Sequence, residues 1–151
     1  MPFSIDDFAQ GRFGAHGRVE IMGGVDLGVS LLEGPFNVEA IRASNLARLV
    51  YLRQYPPQRA WAILGRCRQS MLTSPEGIEA HREGLRESFV DNVRPPVAVA
   101  WVAQGDVEGF ELMASFYQAN FESIGVPMRC FREEAEARAW IASLLEPLAR
   151  R

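Results

Sequence analysis

Residue types that could carry chemistry are few and widely separated in this chain. The histidines are His16 and His81, and the cysteines are Cys67 and Cys130. A nucleophilic dyad needs an imidazole beside a thiol or a serine, and no recognised motif links these residues by spacing. Two cysteines so far apart match no metal-binding motif and form no disulfide framework. We therefore predict no catalytic residue, no metal site and no cofactor, and we interpret both cysteines as small buried residues.

The remaining composition excludes further classes of chemistry. All 16 basic residues are arginine, so the chain has no lysine for a Schiff base, for pyridoxal phosphate or for a P-loop. Gly11, Gly14 and Gly17 are spaced as G-x-x-G-x-x-G, but they precede a predicted strand, whereas a dinucleotide-binding loop follows one. The net charge of -3 gives no indication of a nucleic-acid surface.

One segment concentrates polar side chains between a predicted strand and a predicted helix. Thr73 and Glu76 have the spacing of a capping box, and Ser74 before Pro75 is an alternative N-cap. Capping alone would explain the two hydroxyl residues. The functional interpretation is that the helix N-terminus and nearby guanidinium groups attract an acidic segment or a phosphate. The candidates for binding a partner or an anion are Arg66, Arg68, Ser70, Thr73 and Ser74.

The segment from residue 66 to residue 74 contains no carboxylate, histidine or lysine. It therefore lacks a general base, and we predict binding there and not catalysis. It also follows a strand of a predicted parallel sheet. Open α/β folds place their ligands at the carboxyl ends of such strands.

The strands and helices that would position these residues alternate along the chain. Residues 97–103 are apolar at both odd and even positions, so both faces of the strand would be apolar. This is typical of an interior parallel strand. An amphipathic helix follows, then a strand over residues 126–131 and a helix with an acidic first turn. Residues 12–22 and 25–36 are predicted to form an antiparallel pair around Gly23-Gly24. Asn37 is the predicted N-cap of the first helix, with Phe36 and Ile41 as its hydrophobic staple.

This order predicts one α/β domain over residues 1–151, with residues 1–11 as a lead-in. We expect a five-stranded, mostly parallel sheet with an antiparallel N-terminal strand pair, four helices and right-handed crossovers. In several strands bulky residues alternate with small ones, so that each kind lies on its own face. Val99 and Trp101, for example, alternate with Ala98 and Ala100. We predict that helices cover mainly one face of the sheet. The alternative is that the small face lets helices pack very close.

Over residues 16–145 the chain resembles the STAS/SpoIIAA-like superfamily, in particular its bacterial members. The resemblance is carried by the paired N-terminal strands, the segment LLEGPFNVEAIRA, the third strand ending near Arg66, and the closing segment VPMRCFREEAEARAWI. It implies a SpoIIAA-like fold and a regulatory domain whose relatives bind proteins, small ligands or lipids. Phosphorylated members carry an Asp-Ser-Ser-Gly-like element after the third strand. The segment from Gly65 to Ser74 lacks that Asp and Gly, so the resemblance does not extend to phosphorylation.

Three functions remain open at this point. The first is a non-enzymatic regulatory domain that binds another protein. The second is a carrier or sensor of a lipid or another apolar small molecule, in a pocket lined by Phe110, Tyr117 and Trp140. The third is an enzyme with an unrecognised site, which we rank last because no nucleophile–base pair can be named. A homodimer is also left open.

The location of the protein is expected from two further features. No apolar run approaches the roughly 18 residues that a membrane span needs. The first residues carry acidic side chains where a signal peptide needs basic ones. We therefore expect a cytoplasmic protein.

Overall fold

The computed structural model of the protein describes residues 3–4, 17–23 and 26–149. Its elements alternate between strand and helix after an N-terminal run of strands, as the sequence predicts. In chain order they are β1 (Phe3–Ser4), β2 (Arg18–Met22), β3 (Leu27–Glu33), α1 (Val38–Gln54), β4 (Ala62–Arg68), α2 (Pro75–Phe89), β5 (Ala98–Val102), α3 (Phe110–Glu122), β6 (Met128–Phe131) and α4 (Glu134–Ala149).

The strands form one mixed sheet in the order in which they occur along the chain. The pairs β1–β2 and β2–β3 are antiparallel, and β3 to β6 run parallel. The predicted α/β class, the antiparallel N-terminal pair, the parallel remainder and the four helices are confirmed. The five predicted strands are β2 to β6, and the two-residue β1 is an addition within the predicted lead-in. Residues 5–16, which include Gly11, Gly14 and His16, and residue 24 of the predicted hairpin lie outside the described residues.

Three of the four helices pack on one side of the sheet. Helices α1, α2 and α3 share a hydrophobic core with Trp61, Val99 and Trp101, and we call this side the three-helix face. Helix α4 packs on the opposite side against alanines of β4 and β5, which we call the α4 face. Parallel neighbours joined by crossovers of one hand place successive helices on the same side. The predicted unequal cover of the two faces follows from this topology.

The faces differ in side-chain size, but β3 reverses the pattern of its neighbours. In β4 and β5 the large residues Ile63, Val99 and Trp101 lie on the three-helix face, whereas alanines lie on the α4 face. The register pairs Gly28 with Ile63, and Ser30 with Gly65. The smallest residues of β3 therefore lie on the three-helix face, which is also the face of Trp101, the largest residue of β5.

A side chain caps the N-terminus of each of the first two helices. Asn37 Oδ1 accepts a hydrogen bond from the Ala40 N–H at 2.9 Å, and Phe36 is buried as expected for the staple. Ser74 Oγ accepts from the Gly77 N–H at 3.0 Å, and Pro75 occupies the first turn. Of the two caps that the sequence offers for α2, the Ser74–Pro75 cap is formed.

Candidate functional site

A cavity of about 100 Å³ lies between α1 and the three-helix face of β2 to β5. Its lining is mainly apolar and aromatic, and α2 and α3 contribute one side chain each, His81 and Tyr117. An engineered dry cavity of about 150 Å³ holds benzene, so this space is of the order of one small ring. It is the described pocket that best combines an apolar wall with a few convergent polar groups.

Two glycines on the three-helix face explain where this space comes from. A Cβ atom built on Gly65 would lie 2.7 Å from Trp101 Cδ1, so the indole already occupies that position. A Cβ atom built on Gly28 would meet its nearest atom, in the Trp61 ring, only at 3.8 Å. Gly65 is therefore required for packing. Gly28 instead lines the cavity, and a Cβ atom added there would meet no described atom closer than ordinary van der Waals distance.

A second hollow of about 610 Å³ lies beside the cavity, near the amino ends of β3 and β4. The two spaces share Gly28, Tyr51, Leu52 and Trp61 as lining residues. Burial raises the pKa of Tyr51, so its phenol is neutral in ordinary buffers. A molecule that outgrew the cavity would meet this hollow next.

Among the described lining residues of the cavity, one side chain is permanently charged, that of Arg48. Its Nε donates to Ser88 Oγ at 3.3 Å, one Nη donates to Asn45 Oδ1 at 2.9 Å, and the group lies 5.5 Å from the centre of the Phe89 ring. Among the described residues no carboxylate lies within ion-pair distance of it. Burial lowers the pKa of Arg48 to about 10, against the weaker opposing effect of Glu87. Arg48 is therefore a cation at neutral pH, and its contacts within the described part of the chain are to neutral groups.

His81 lies buried in the same wall and is neutral. Burial, followed by the positive charge of Arg48, lowers the pKa of His81 to about 3. Its ring packs edge-on against Tyr117 and Phe121, with centroids 5.2 and 5.4 Å away. Asn120 Nδ2 lies 2.9 Å from His81 Nδ1. The ring is therefore held in one orientation.

The large aromatic residues present apolar surfaces to the cavity because their polar atoms bond elsewhere. Tyr117 Oη donates to the Met71 carbonyl oxygen at 3.2 Å, and Trp61 Nε1 donates to that of Arg94 at 3.0 Å. Burial raises the pKa of Tyr117 far above its usual value. Among the described lining residues, the polar side chains left to face a ligand are Arg48, His81, Tyr51, Ser30 and Ser44.

The three residues predicted to line an apolar pocket do not meet in one. Tyr117 lines the cavity. Phe110 is buried in the same core, but it borders a separate hollow, where the Arg132 guanidinium lies 5.1 Å from its ring centre. Trp140 projects from α4 on the opposite side of the sheet and packs 5.8 Å from the Phe131 ring. Periodicity places each residue on an apolar stripe but does not say which face of the sheet the stripe covers.

The segment after β4 forms the rim of a hollow of about 280 Å³ at the carboxyl ends of β4 and β5. Arg66 is already paired there, with Nε and one Nη donating to the two carboxylate oxygens of Glu134 at 2.6 and 3.1 Å. The hydrogen bond from Arg66 lowers the pKa of Glu134 to about 2 and is the largest cause of the raised pKa of Arg66. Arg68 is exposed.

Of the three hydroxyl residues of this segment, two are at least partly buried and one caps α2. Ser70 is buried and donates to Glu108 Oε1 at 2.9 Å. The Thr73 hydroxyl oxygen is buried and has no hydrogen-bond partner among the described residues. Glu76 lies near Arg42, with 3.7 Å between Nη and Oε1, so Thr73 and Glu76 do not form the capping box. Ser74, the formed cap, is exposed.

The cysteines and the acidic residues build no further reactive centre in the described part of the chain. Cys67 and Cys130 are both free thiols. Burial raises the pKa of Cys67 well above its usual value and that of Cys130 to about 11, which leaves little thiolate at neutral pH. No group of three or more histidine, cysteine, aspartate or glutamate side chains is placed to hold a metal ion within the described ranges.

The sequence interpretation missed Arg48, although it contained a signal. Arg48 lies seven residues after Ile41 and four before Leu52, on the stripe by which α1 packs against the core. His81 lies in the same way between Ile78 and Leu85 of α2. Charged or titratable residues at core positions of a helix are unusual. Their positions on the apolar stripes could have singled both out.

No family model matches this chain, and no curated protein or solved structure matches it either. Over the described residues, no helix combines the length and the apolar character needed to cross a bilayer.

Proposed function

We propose that this domain is a receptor or carrier that binds a small, largely apolar molecule in the cavity beneath α1. The observation that carries the proposal is the cavity of about 100 Å³ that Gly28 lines, whose described walls are mainly apolar and aromatic. Well-packed interiors contain few voids larger than a water molecule. A cavity with aromatic walls and a few polar groups has the composition typical of a ligand site.

We propose no catalytic role for the cavity. A general base works best with a pKa near the operating pH. The pKa of His81 is about 3, and burial moves that of Tyr117 far upward. Neither group would exchange a proton readily at neutral pH, which favours binding over chemistry.

Filling the cavity tests the proposal. Gly28→Val should narrow the cavity, because Gly28 lines it and a new Cβ would meet its nearest described atoms at 3.8 and 3.9 Å, which are ordinary contact distances. Val29→Ile is the matched control, since residue 29 of the same strand faces α4. The probes are benzamide, benzoate, hexanamide and hexanoate. The readouts are thermal unfolding and the fluorescence of Trp61 and Trp101, which both line the cavity.

At least one probe should stabilise the wild type and the Val29→Ile variant but not Gly28→Val. A ligand at one hundred times its Kd raises the unfolding midpoint by about 5–10 °C in a domain of this size. If no probe shifts the midpoint of the wild type, and native mass spectrometry of the purified protein finds no bound small molecule, the proposal fails.

A second candidate is a regulatory domain that binds an acidic partner protein, as the STAS/SpoIIAA-like resemblance implies. Arg68 supports it, because this arginine is exposed at the carboxyl ends of parallel strands and has no ion pair among the described residues. Arg68→Ala should weaken binding of an acidic or phosphorylated peptide, whereas Arg94→Ala at the opposite end of the sheet should not. Equal binding by both variants would exclude this segment as the docking site.

A further inference from the structure

We propose that the ligand of the cavity is an apolar carboxylic acid in its ionised form, whose carboxylate binds Arg48 and whose hydrocarbon part fills the space opposite Gly28. This inference rests on the proposed function and adds the chemical class of the ligand. It depends on the polar groups of the cavity, whereas the proposed function depends on the empty space alone.

Arg48 is a cation that forms no ion pair with any described residue. Two of its five N–H groups have acceptors, Ser88 Oγ and Asn45 Oδ1, and both acceptors are neutral. The other three have no acceptor among the described residues. A guanidinium group removed from water is costly unless a negative charge accompanies it. A bound carboxylate would supply that charge and match the planar fork of the guanidinium group.

His81 adds a second hydrogen-bond donor to the same wall. Asn120 Nδ2 donates to the Ile78 carbonyl oxygen at 3.0 Å, which identifies this atom as the amide nitrogen. Its second hydrogen therefore points toward His81 Nδ1, 2.9 Å away, and the ring nitrogen accepts it. The proton of the neutral imidazole is then on Nε2. Among the described lining residues Arg48 thus supplies a cationic donor, His81 and the hydroxyls of Ser30, Ser44 and Tyr51 supply neutral ones, and none is an anion.

The size and polarity of the cavity favour a monocarboxylate over other anions. A phosphate carries up to two charges, whereas the single guanidinium group among the described lining residues matches the single charge and the two oxygens of a carboxylate. The volume of about 100 Å³ admits one ring or a short chain. A longer body would extend past Tyr51 and Trp61 into the neighbouring hollow.

The test compares each acid with its amide, which has nearly the same shape but no charge. Isothermal titration at pH 7.5 of the wild type should give at least tenfold tighter binding of benzoate than of benzamide, or of hexanoate than of hexanamide. Arg48→Met replaces the guanidinium side chain by a shorter, unbranched and uncharged one. We expect that variant to bind the acid at least tenfold more weakly and the amide within about threefold of the wild type.

Two further variants separate the charge of Arg48 from its planar shape and from its position in the cavity. Arg48→Lys keeps the charge without the planar fork and should restore part of the preference for the acid. Arg66→Met removes a guanidinium group that Glu134 already neutralises, and it should leave the preference unchanged. Arg48→Met should unfold at the same temperature as the wild type or higher, because it removes a charge that lacks a counterion.

The outcomes separate this inference from the proposed function. If acid and amide bind the wild type equally and Gly28→Val abolishes both, the cavity is a binding site but the inference is wrong. If Arg48→Met keeps the preference for the acid, Arg48 is not the anion-binding group and the inference is also wrong. If no probe binds the wild type and native mass spectrometry finds no bound small molecule, both proposals fail.

Discussion

Arg48 and Arg66 are both partly buried arginines of one small domain, but their surroundings differ in charge. Arg66 at the end of β4 is matched by the carboxylate of Glu134 on α4, and its pKa is raised. Arg48 on α1 contacts a hydroxyl, an amide and a ring, and its pKa is lowered to about 10. A guanidinium group already matched by a carboxylate has little left to offer a ligand. The comparison therefore points to the cavity, and not to the rim of the sheet, as the place for an anion.

The same contrast appears in the packing. The Trp101 indole occupies the position that a side chain at Gly65 would take. Gly28 on the neighbouring strand lines the cavity instead. Side chains in protein cores normally leave no such gap. Four predictions test this comparison, from the largest expected effect to the smallest.

The indole that forms one wall of the cavity should dominate stability. Trp101 is 6% exposed, and its replacement by Ala should lower the free energy of unfolding by about 3–5 kcal/mol. Trp140→Ala on the half-buried α4 side is the control and should cost less. Urea unfolding measures both. Equal midpoints for the wild type and Trp101→Ala would show that the three-helix face is not the main core.

The two glycines should respond in opposite ways to an added methyl group. Gly65→Ala should lower the free energy of unfolding by about 1–3 kcal/mol, because the new Cβ overlaps Trp101. Gly28→Ala should be neutral or stabilising by up to about 1 kcal/mol, since it limits the unfolded chain and meets no clash. Denaturant titration of the two variants decides this. Similar losses at both positions would mean that no free space exists beside Gly28.

Acid should destabilise the domain partly through His81. The folded-state pKa of about 3 lies below the ordinary value of 6.5, so the unfolded chain binds the proton more readily. Between these values the free energy of unfolding should fall by about 1.4 kcal/mol per pH unit as pH decreases. His81→Gln should lack this contribution, which appears as the difference between the two pH profiles. An NMR titration that gives His81 a pKa near 6.5 would contradict the prediction.

The ion pair at the rim should contribute least. A double-mutant cycle with Arg66→Ala and Glu134→Ala should give a coupling of about 0.5–1 kcal/mol, because both side chains are partly exposed to solvent. The pKa of Glu134 is lowered to about 2 from 4.5, so the contribution is present above about pH 4.5 and is lost as pH falls toward 2. A coupling near zero would mean that Arg66 is free after all.

Much of the fold could be predicted because its causes are local. The apolar run of β5, the apolar stripe of α3 and the Asn37 cap of α1 depend on residues close together in the sequence. The alternation of strands and single helices then limits the sheet to a mostly parallel arrangement. The choice between two caps for α2 was also within reach of the sequence, since Ser74 and Pro75 form a recognised pair.

The candidate site depends on contacts between distant segments. The alternation of residues along β3 distinguishes its two faces. Only the register with β4 shows that Gly28 and Ser30 lie on the same face as Trp101. Arg66 and Glu134 are 68 residues apart, so the sequence predicted a free cation where the fold forms an ion pair. Trp140 was grouped with Tyr117, although α4 covers the other face. The sequence alone determined which residues are apolar and where the helices begin. Only the tertiary structure decided which charges are matched and where space remains, because both depend on the side chain that another segment places opposite.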